Sequence, residues 1–443
     1  MAPMFVTESA LESLAPVGSI ELVGRNCHLQ PYKKIKKIPT FDIGGEFVAY
    51  ASPDSTYAVT KRLLDAATDE IVIGIYDFSA DYMKDILLQA MRRGVKVSVM
   101  LDIDNKKEED LLKELKKFGA KTVPAPSCAS KVVSFFPSSH EKVIVVDGIW
   151  TLVQSGNYSK NSIPFNPKDG GDPDNFTTGN RDMGVAIRSK PLADFFAKVL
   201  RSDMKLELDG AGVETLGAGG AGPAPELVEA VPEALPPKLF PSKKLNPQKK
   251  IQVTPVLTPD NYMDVVPGFI RGATKSVFIE QQYIRSEQAD VAILLDAIKT
   301  ARTNAPNLDV RIILGKLFSA DDFAKETKNV ENLQKKFGLK LGEQIRYIDT
   351  TRFVHCHNKL VVVDDQSVLV SSQNWSNTGV GTNREAGLLM RFPEIARYYS
   401  TIFKSDWSTA QKKIPKPGAA SAGPEKLAKG NFIEVVAADY QEV

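Results

Sequence analysis

Apolar residues fall at two different spacings along this chain. Ile71-Val-Ile-Gly-Ile-Tyr76 and Val95-Lys-Val-Ser-Val-Met-Leu101 are short runs rich in β-branched residues, the pattern of buried strands. Between them Met83, Ile86, Leu87 and Ala90 recur at helical spacing, and Arg92-Arg93-Gly94 closes the segment. Another helical pattern follows Ser52-Pro53-Asp54 through Leu63, Leu64 and Ala67, and a charged one from Lys106 stops at Gly119. Strands alternating with helices predict an α/β layered fold.

The same order of features then returns. Thr258-Pro259-Asp260 answers Ser52-Pro53-Asp54, and Ala273-Thr274 answers Ala67-Thr68, both at an offset of 206. Val277–Ile284 and Val310–Leu314 are the matching strands, and Lys335-Lys336-Phe337-Gly338 answers Lys116 to Gly119. Asn383-Arg384-Glu385 answers Asn180-Arg181-Asp182, and Ser405-Asp406-Trp407 answers Ser202-Asp203-Met204. Order held while offsets drift is the mark of an internal duplication. It divides the chain into a leader (1–45), a first repeat (46–207), a linker (208–250), a second repeat (251–411) and a tail (412–443).

Within each repeat one pattern stands out, H-x-K-x4-D-x7-S-x-N. The first copy places His140, Lys142, Asp147, Ser155 and Asn157; the second places His357, Lys359, Asp364, Ser372 and Asn374. The chain has 4 histidines, and two of them fill this slot. The valine-rich run after each lysine predicts a strand, so His and Lys two apart share a face. Asp147-Gly148 reads as a tight turn with Ile149 to Val153 returning, and Asp364-Asp365-Gln366 as its counterpart. Each hairpin gathers an imidazole, an ammonium, a hydroxyl and an amide, a set suited to an anionic phosphate.

Composition narrows the setting. There are 56 basic and 54 acidic residues, a net charge of +2, so no strongly basic field announces nucleic acid. Lys33-Lys34-Ile35-Lys36-Lys37 is a small basic cluster, read as a solvated loop. Cys27, Cys128 and Cys356 show no metal-ligand spacing, and an odd, sparse count argues against a disulfide framework and for a reducing compartment. No signal-peptide pattern opens the chain and no apolar run reaches about 18 residues. A cytoplasmic protein, meeting any lipid at a membrane surface, is the expectation. The Gly/Ala/Pro-rich linker suits a flexible connection. The tail, with a short apolar piece from Asn431, is read as loosely docked.

The paired motifs resemble the HKD signature of the phospholipase D superfamily. One departure is that Gln154 and Ser371 stand where the family often has glycine. The resemblance implies two pseudo-symmetric α/β/α sandwich halves with mixed central sheets, packed so that both hairpins meet in one cleft of a monomer. It implies a phosphodiesterase working through a phosphohistidine, with no cofactor and no metal. His140 is the expected nucleophile and His357 the acid, the reverse remaining open. Lys142, Lys359, Asn157, Asn374, Ser155 and Ser372 are the expected phosphate ligands. A lysine about 4 Å from a phosphate, at an effective dielectric near 20, contributes roughly 4 kcal/mol of attraction before desolvation. Asp182 and Glu385 sit where the family's imidazole-orienting carboxylates fall, while Asp147 and Asp364 are read as pinning the hairpin turns. His355 reads as a pocket-edge residue and His28 as structural. Glu280 and Gln282, with Tyr76 and Asp77 as counterparts, are candidates for facing the pocket. Phospholipid head groups are the favoured substrate, hydrolysis or transfer being open. A nuclease of the same superfamily and a non-catalytic phosphate-binding scaffold are the alternatives.

Overall fold

The fold was obtained as a computed structural model that describes residues 19–22, 25–129, 134–165, 179–210 and 240–416. Linker residues 211–239 and the apolar piece of the tail lie outside them. In chain order the elements open with β1 (Ser19–Leu22), β2 (Arg25–His28) and β3 (Phe41–Ile43). The first repeat supplies β4 (Phe47–Ser52), α1 (Thr56–Asp65), β5 (Glu70–Ile75), α2 (Asp81–Arg92), β6 (Lys96–Leu101), α3 (Lys106–Lys117), β7 (Lys121–Pro124), β8 (Val143–Val146), β9 (Trp150–Gln154), β10 (Asp182–Arg188) and α4 (Lys190–Gly210). After β11 (Lys243–Leu245) the second supplies β12 (Ile251–Thr258), α5 (Tyr262–Arg271), β13 (Ser276–Gln281), α6 (Ala289–Asn304), β14 (Asp309–Leu314), α7 (Ala320–Phe337), β15 (Ile345–Tyr347), β16 (Lys359–Val363), β17 (Ser367–Ser371), β18 (Glu385–Met390) and α8 (Pro393–Thr409).

Two eight-stranded sheets result, with identical topology. One runs β11-β4-β10-β9-β8-β5-β6-β7, the other β3-β12-β18-β17-β16-β13-β14-β15. Both are mixed: β5, β6 and β7 pair in parallel, while β8 and β9 are antiparallel neighbours. The expected α/β class and paired halves are therefore what the chain adopts. The edge strands show something the repeat pattern does not. Strand β3, from the leader, pairs with β12 of the second sheet, and β11, from the end of the linker, pairs with β4 of the first. Each repeat thus sends a short arm to the edge of the other's sheet.

Packing follows the alternation along the strands. Helices α1 to α3 cover one face of the first sheet with Leu63, Leu64, Met83, Leu87 and Leu115, and α5 to α7 do the same for the second. The inner faces share one core. Val143, Val145 and Val185 of one sheet, Leu360, Val362 and Leu388 of the other, and Phe196, Leu200, Ile402 and Phe403 of α4 and α8 all belong to it. Buried apolar area is the main stabilising term of such a core, so the two repeats are held as one body with α4 and α8 at its centre.

Both hairpin turns take left-handed conformations, with φ of 52° at Asp147 and 59° at Gly148, and 59° at Asp364 and 55° at Asp365. Aspartate and glycine tolerate that region best. The cysteine expectation is overturned. Cys27 and Cys128, 101 residues apart in sequence, form a disulfide, and Cys356 alone is a buried free thiol. Two cysteines suffice for a single bridge once tertiary packing brings them together, so the sparse count gives no support to a reducing compartment.

Candidate active site

Strand β8 begins immediately after Lys142 and strand β16 at Lys359 itself, so the histidines stand at the sheet ends where the halves meet. Backbone pairing across the halves fixes them there. His140 N–H donates to Arg384 carbonyl at 2.8 Å and Arg384 N–H to Ser138 carbonyl at 2.9 Å. The counterpart bonds join His357 N–H to Arg181 carbonyl at 3.0 Å and Arg181 N–H to His355 carbonyl at 2.9 Å. The residue after each arginine is the carboxylate. Glu385 therefore lies against His140, both its oxygens 3.0 Å from Nδ1. Asp182 lies against His357, Oδ1 at 2.8 Å from Nδ1. Each imidazole is paired with the carboxylate of the opposite repeat.

Nδ1–H donating to a carboxylate leaves Nε2 as the atom that faces chemistry. His140 Nε2 is buried and has no partner among the described residues. Burial, then Lys142, Lys359 and His357, hold the His140 pKa well below the usual imidazole range. The ring is thereby kept neutral with its lone pair available. Asp182 is held below the usual carboxylate range: burial opposes ionisation, but His357, Lys359 and the Ser155 hydroxyl outweigh it.

The lysines are positioned by their own strands. Lys142 Nζ donates to the carbonyl of His140 and Lys359 Nζ to that of His357, each at 2.7 Å. Both ammoniums are buried, where a charge is costly unless it is compensated. Asn157 and Asn374 are also buried, and Asn157 Oδ1 has no partner among the described residues. The serines lie against the carboxylates. Ser155 Oγ donates to Asp182 at 2.8 Å and accepts from Met183 N–H, while Ser372 Oγ donates to Glu385 and accepts from Ala386 N–H. Their single hydroxyl protons are engaged on the carboxylates, so they brace the orienting groups instead of offering a proton to a phosphate.

Asp147 and Asp364 sit away from the histidines. Asp147 accepts from the backbone of Thr68, Asp69 and Glu70, and Asp364 from Thr274, Lys275 and Ser276. Each pins a hairpin turn to the start of β5 or β13. Gln154 bonds Tyr50 and the Gly156 carbonyl, and Ser371 bonds the Lys359 carbonyl, which is packing at strand ends.

Glu280 does not face the histidines. It accepts from Asn358 Nδ2 at 2.7 Å, on the opposite strand face to His357 and Lys359, and its pKa is pushed up to about 8 by burial and then by Asp406. Tyr76 does reach the site: its ring lies 4.4 Å from that of His140 and 4.9 Å from Lys142 Nζ. Asp77 is buried, its pKa pushed up to about 6 by burial against the pull of Ser79, Lys142 and His357. Gln282 is buried beyond the end of β13. His355 accepts from Lys316 N–H at Nδ1, which places its proton on Nε2, and its pKa is well below normal through burial, His357 and two lysines. His28 is exposed.

Two residues that matter escaped the sequence reading. Arg181 bonds Asp406 of α8 at 2.7 Å and Asp54 at 3.0 Å; Arg384 bonds Asp203 of α4 at 2.8 Å and Asp260 at 2.6 Å. All four ion pairs are buried; Arg181–Asp406 and Arg384–Asp203 cross between the halves, while Arg181–Asp54 and Arg384–Asp260 lie within one. Their signal was the matched Pro-Asp, Asn-Arg and Ser-Asp pairs of the two repeats, visible as repetition but not as contact.

The family model described as "Cardiolipin synthase, PLD-like domain" matches residues 60–204 and 268–407. Over 71 residues the chain is 30% identical to the mitochondrial cardiolipin hydrolase of Danio rerio, covering 16% of this chain and 31% of that protein. Among solved structures it is similar to the phosphatidylserine synthase of Haemophilus influenzae Rd KW20, with a TM-score of 0.55 and 14% identity over 86% of this chain and 90% of that one. A shorter likeness is to Nuc of Salmonella typhimurium, a phospholipase D family member, with a TM-score of 0.30 and 22% identity over 36% of this chain and 95% of that one.

Proposed function

The chain belongs to the cardiolipin synthase, PLD-like family of the phospholipase D superfamily, and from that premise we propose that it is a phosphodiesterase acting on phospholipid head groups through a phosphohistidine. The observation that carries the reading is the crossed pair, His140–Glu385 and His357–Asp182, with Lys142 and Lys359 beside it. Two imidazoles oriented through Nδ1 supply a nucleophile and a proton donor, and two buried ammoniums meet the charge of the phosphate.

His140 is the nucleophile in this reading, because its surroundings keep it neutral. Nε2 attacks phosphorus and forms the P–N bond as the P–O bond to the leaving alcohol breaks. His357, with the ionised Asp182 as counter-ion, gives its Nε2 proton to that oxygen. His357 then takes a proton from the incoming water or alcohol, whose oxygen displaces His140. Water gives hydrolysis; an alcohol gives transfer. The charge that repels anionic nucleophiles is met by Lys142 and Lys359, so this chain's own residues carry every step.

The lipid assignment is supported by the likeness to the cardiolipin synthase, PLD-like family and to the cardiolipin hydrolase of Danio rerio and by the near-balanced charge, which offers no long basic track for a duplex. Among the described residues no helix is long and apolar enough to cross a membrane. The test is direct. The protein is incubated with phosphatidylglycerol or phosphatidylcholine vesicles, and separately with single- and double-stranded DNA. Head-group release, or transfer to added ethanol, with DNA intact is the expected result; cut DNA with untouched vesicles overturns the lipid reading in favour of a nuclease.

A further inference from the structure

The leader runs past the site as a strap touching both halves. The Cys27–Cys128 disulfide ties it to the loop ahead of His140. Gln30 N–H then donates to Ser134 carbonyl at 2.7 Å. The Tyr32 ring packs 4.8 Å from Phe136 of the first half, and Arg384 of the second lies over both rings at 4.9 and 4.5 Å. Arg384 Nη2 donates to Tyr32 Oη at 2.6 Å, Tyr32 Oη donates to Asp260 at 3.2 Å, and Ile35 N–H reaches the same carboxylate at 2.7 Å.

Arg384 is one residue from Glu385, and its carbonyl holds His140 N–H. What the strap fixes, the His140–Glu385 pair inherits. The anchored loop leads to the same place, since Ser127 Oγ and Ser139 N–H both donate to Asp102 at 2.6 Å, and Ser139 precedes His140. The other half is built differently. There Phe240 gives its N–H to Asp54 at 3.1 Å and its ring to Arg181 at 5.6 Å, and the third cysteine, Cys356, is a buried free thiol, so the disulfide anchor belongs to the His140 side.

We infer that Cys27 to Ile35 is a strap that positions the His140–Glu385 pair, with Tyr32 as the positioning residue and the disulfide as its anchor, so that reduction by a dithiol lowers turnover. In that reduction the dithiol gives up two electrons and closes to its own disulfide, while Cys27 and Cys128 each gain an electron and a proton as thiols. The inference rests on the proposed phosphodiesterase activity only for its kinetic readout.

The full-length protein is compared oxidised, reduced with dithiothreitol, as Cys27→Ser/Cys128→Ser and as Tyr32→Phe. Turnover of bis(p-nitrophenyl) phosphate and hydrogen exchange at the Ile35 amide are followed together. The double variant is expected to lose about tenfold in kcat with KM within about twofold, to exchange Ile35 faster, and to ignore dithiothreitol. Tyr32→Phe is expected to lose kcat severalfold, again at constant KM, with the disulfide intact. Wild-type kcat in both variants, or unchanged Ile35 exchange in the double variant, overturns the strap. Should the oxidised protein turn over no phosphodiester, the functional reading fails and the exchange arm alone decides: faster exchange supports the strap and unchanged exchange refutes it.

Discussion

Glu385, at the first position of a strand in the second repeat, holds His140 of the first through both carboxylate oxygens at 3.0 Å. Asp182 returns the arrangement to His357 at 2.8 Å. Neither repeat alone contains an imidazole with its orienting carboxylate. The backbone bonds of Arg384 to Ser138 and His140, and of Arg181 to His355 and His357, make the crossing obligatory. Two copies of the motif in one chain are thus two halves of one site.

The crossing separates the effects of the two carboxylates. Glu385→Gln disturbs the proposed nucleophile and Asp182→Asn the proposed acid. Each is expected to cost about 10- to 100-fold in kcat on a lipid substrate. On a p-nitrophenyl ester, whose leaving group needs no proton, Asp182→Asn is expected to recover most of its loss and Glu385→Gln little. Equal recovery in both would contradict the role assignment.

The pH profile follows from the neutral His140. Its pKa is depressed by burial and by Lys142, Lys359 and His357, so the acid limb of kcat/KM is expected below the ordinary imidazole value of ~6.5. Lys359→Met removes one positive charge, and the limb should move up toward that value, measured on an activated ester. A limb that stays put, or moves down, contradicts the cause given. The same depression has a stability consequence: the unfolded chain binds a proton that the folded one refuses, so stability present above ~6.5 is lost as pH falls through the folded value.

Asp147 belongs to the fold. It accepts from three backbone N–H groups at the start of β5, and Asp147→Ala is expected to destabilise by roughly 1–2 kcal/mol, the residue being only half-buried. Its folded pKa is depressed, opposed by burial but driven by those donors. The contribution is therefore present above the unfolded value of ~3.9 and lost as pH falls through the folded one. Urea midpoints at neutral pH would show the loss with kcat unchanged; an unchanged midpoint with lost kcat would move Asp147 into the active site.

Arg181 holds two buried carboxylates, Asp406 and Asp54. Arg181→Met strands both charges and is expected to cost about 3–5 kcal/mol, read as a fall in the urea midpoint. A loss under about 1 kcal/mol, the range of a surface pair, would show that the halves do not depend on it.

Much of this was legible in the residues. Valine runs after Lys142 and Lys359, turn residues at Asp147-Gly148 and helical spacing at Met83 to Ala90 act locally, and the strands and helices follow from them. The duplication foretold two matching sheets. Which carboxylate meets which imidazole was not legible, because Asp182 and Glu385 occupy equivalent places and the crossing is set by inter-repeat packing. Strands β3 and β11 are three residues long, too short for any periodicity to show. The Cys27–Cys128 bond joins residues brought together only by the fold. The bonds of the Ser155 and Ser372 hydroxyls to Asp182 and Glu385 were not legible either, because spacing gives a neighbourhood and not a partner.

The central claim is the P–N bond at His140. Vesicles of phospholipid carrying labelled phosphate are mixed with wild type, His140→Asn and His357→Asn, quenched in alkali within the first turnover, and digested for peptide mapping. The label is expected on the peptide containing His140, absent in His140→Asn, and in His357→Asn slower to appear but longer-lived once formed, since that variant lacks both the leaving-group acid and the base that activates water. Label on the His357 peptide, or steady turnover with no labelled histidine at all, would contradict it.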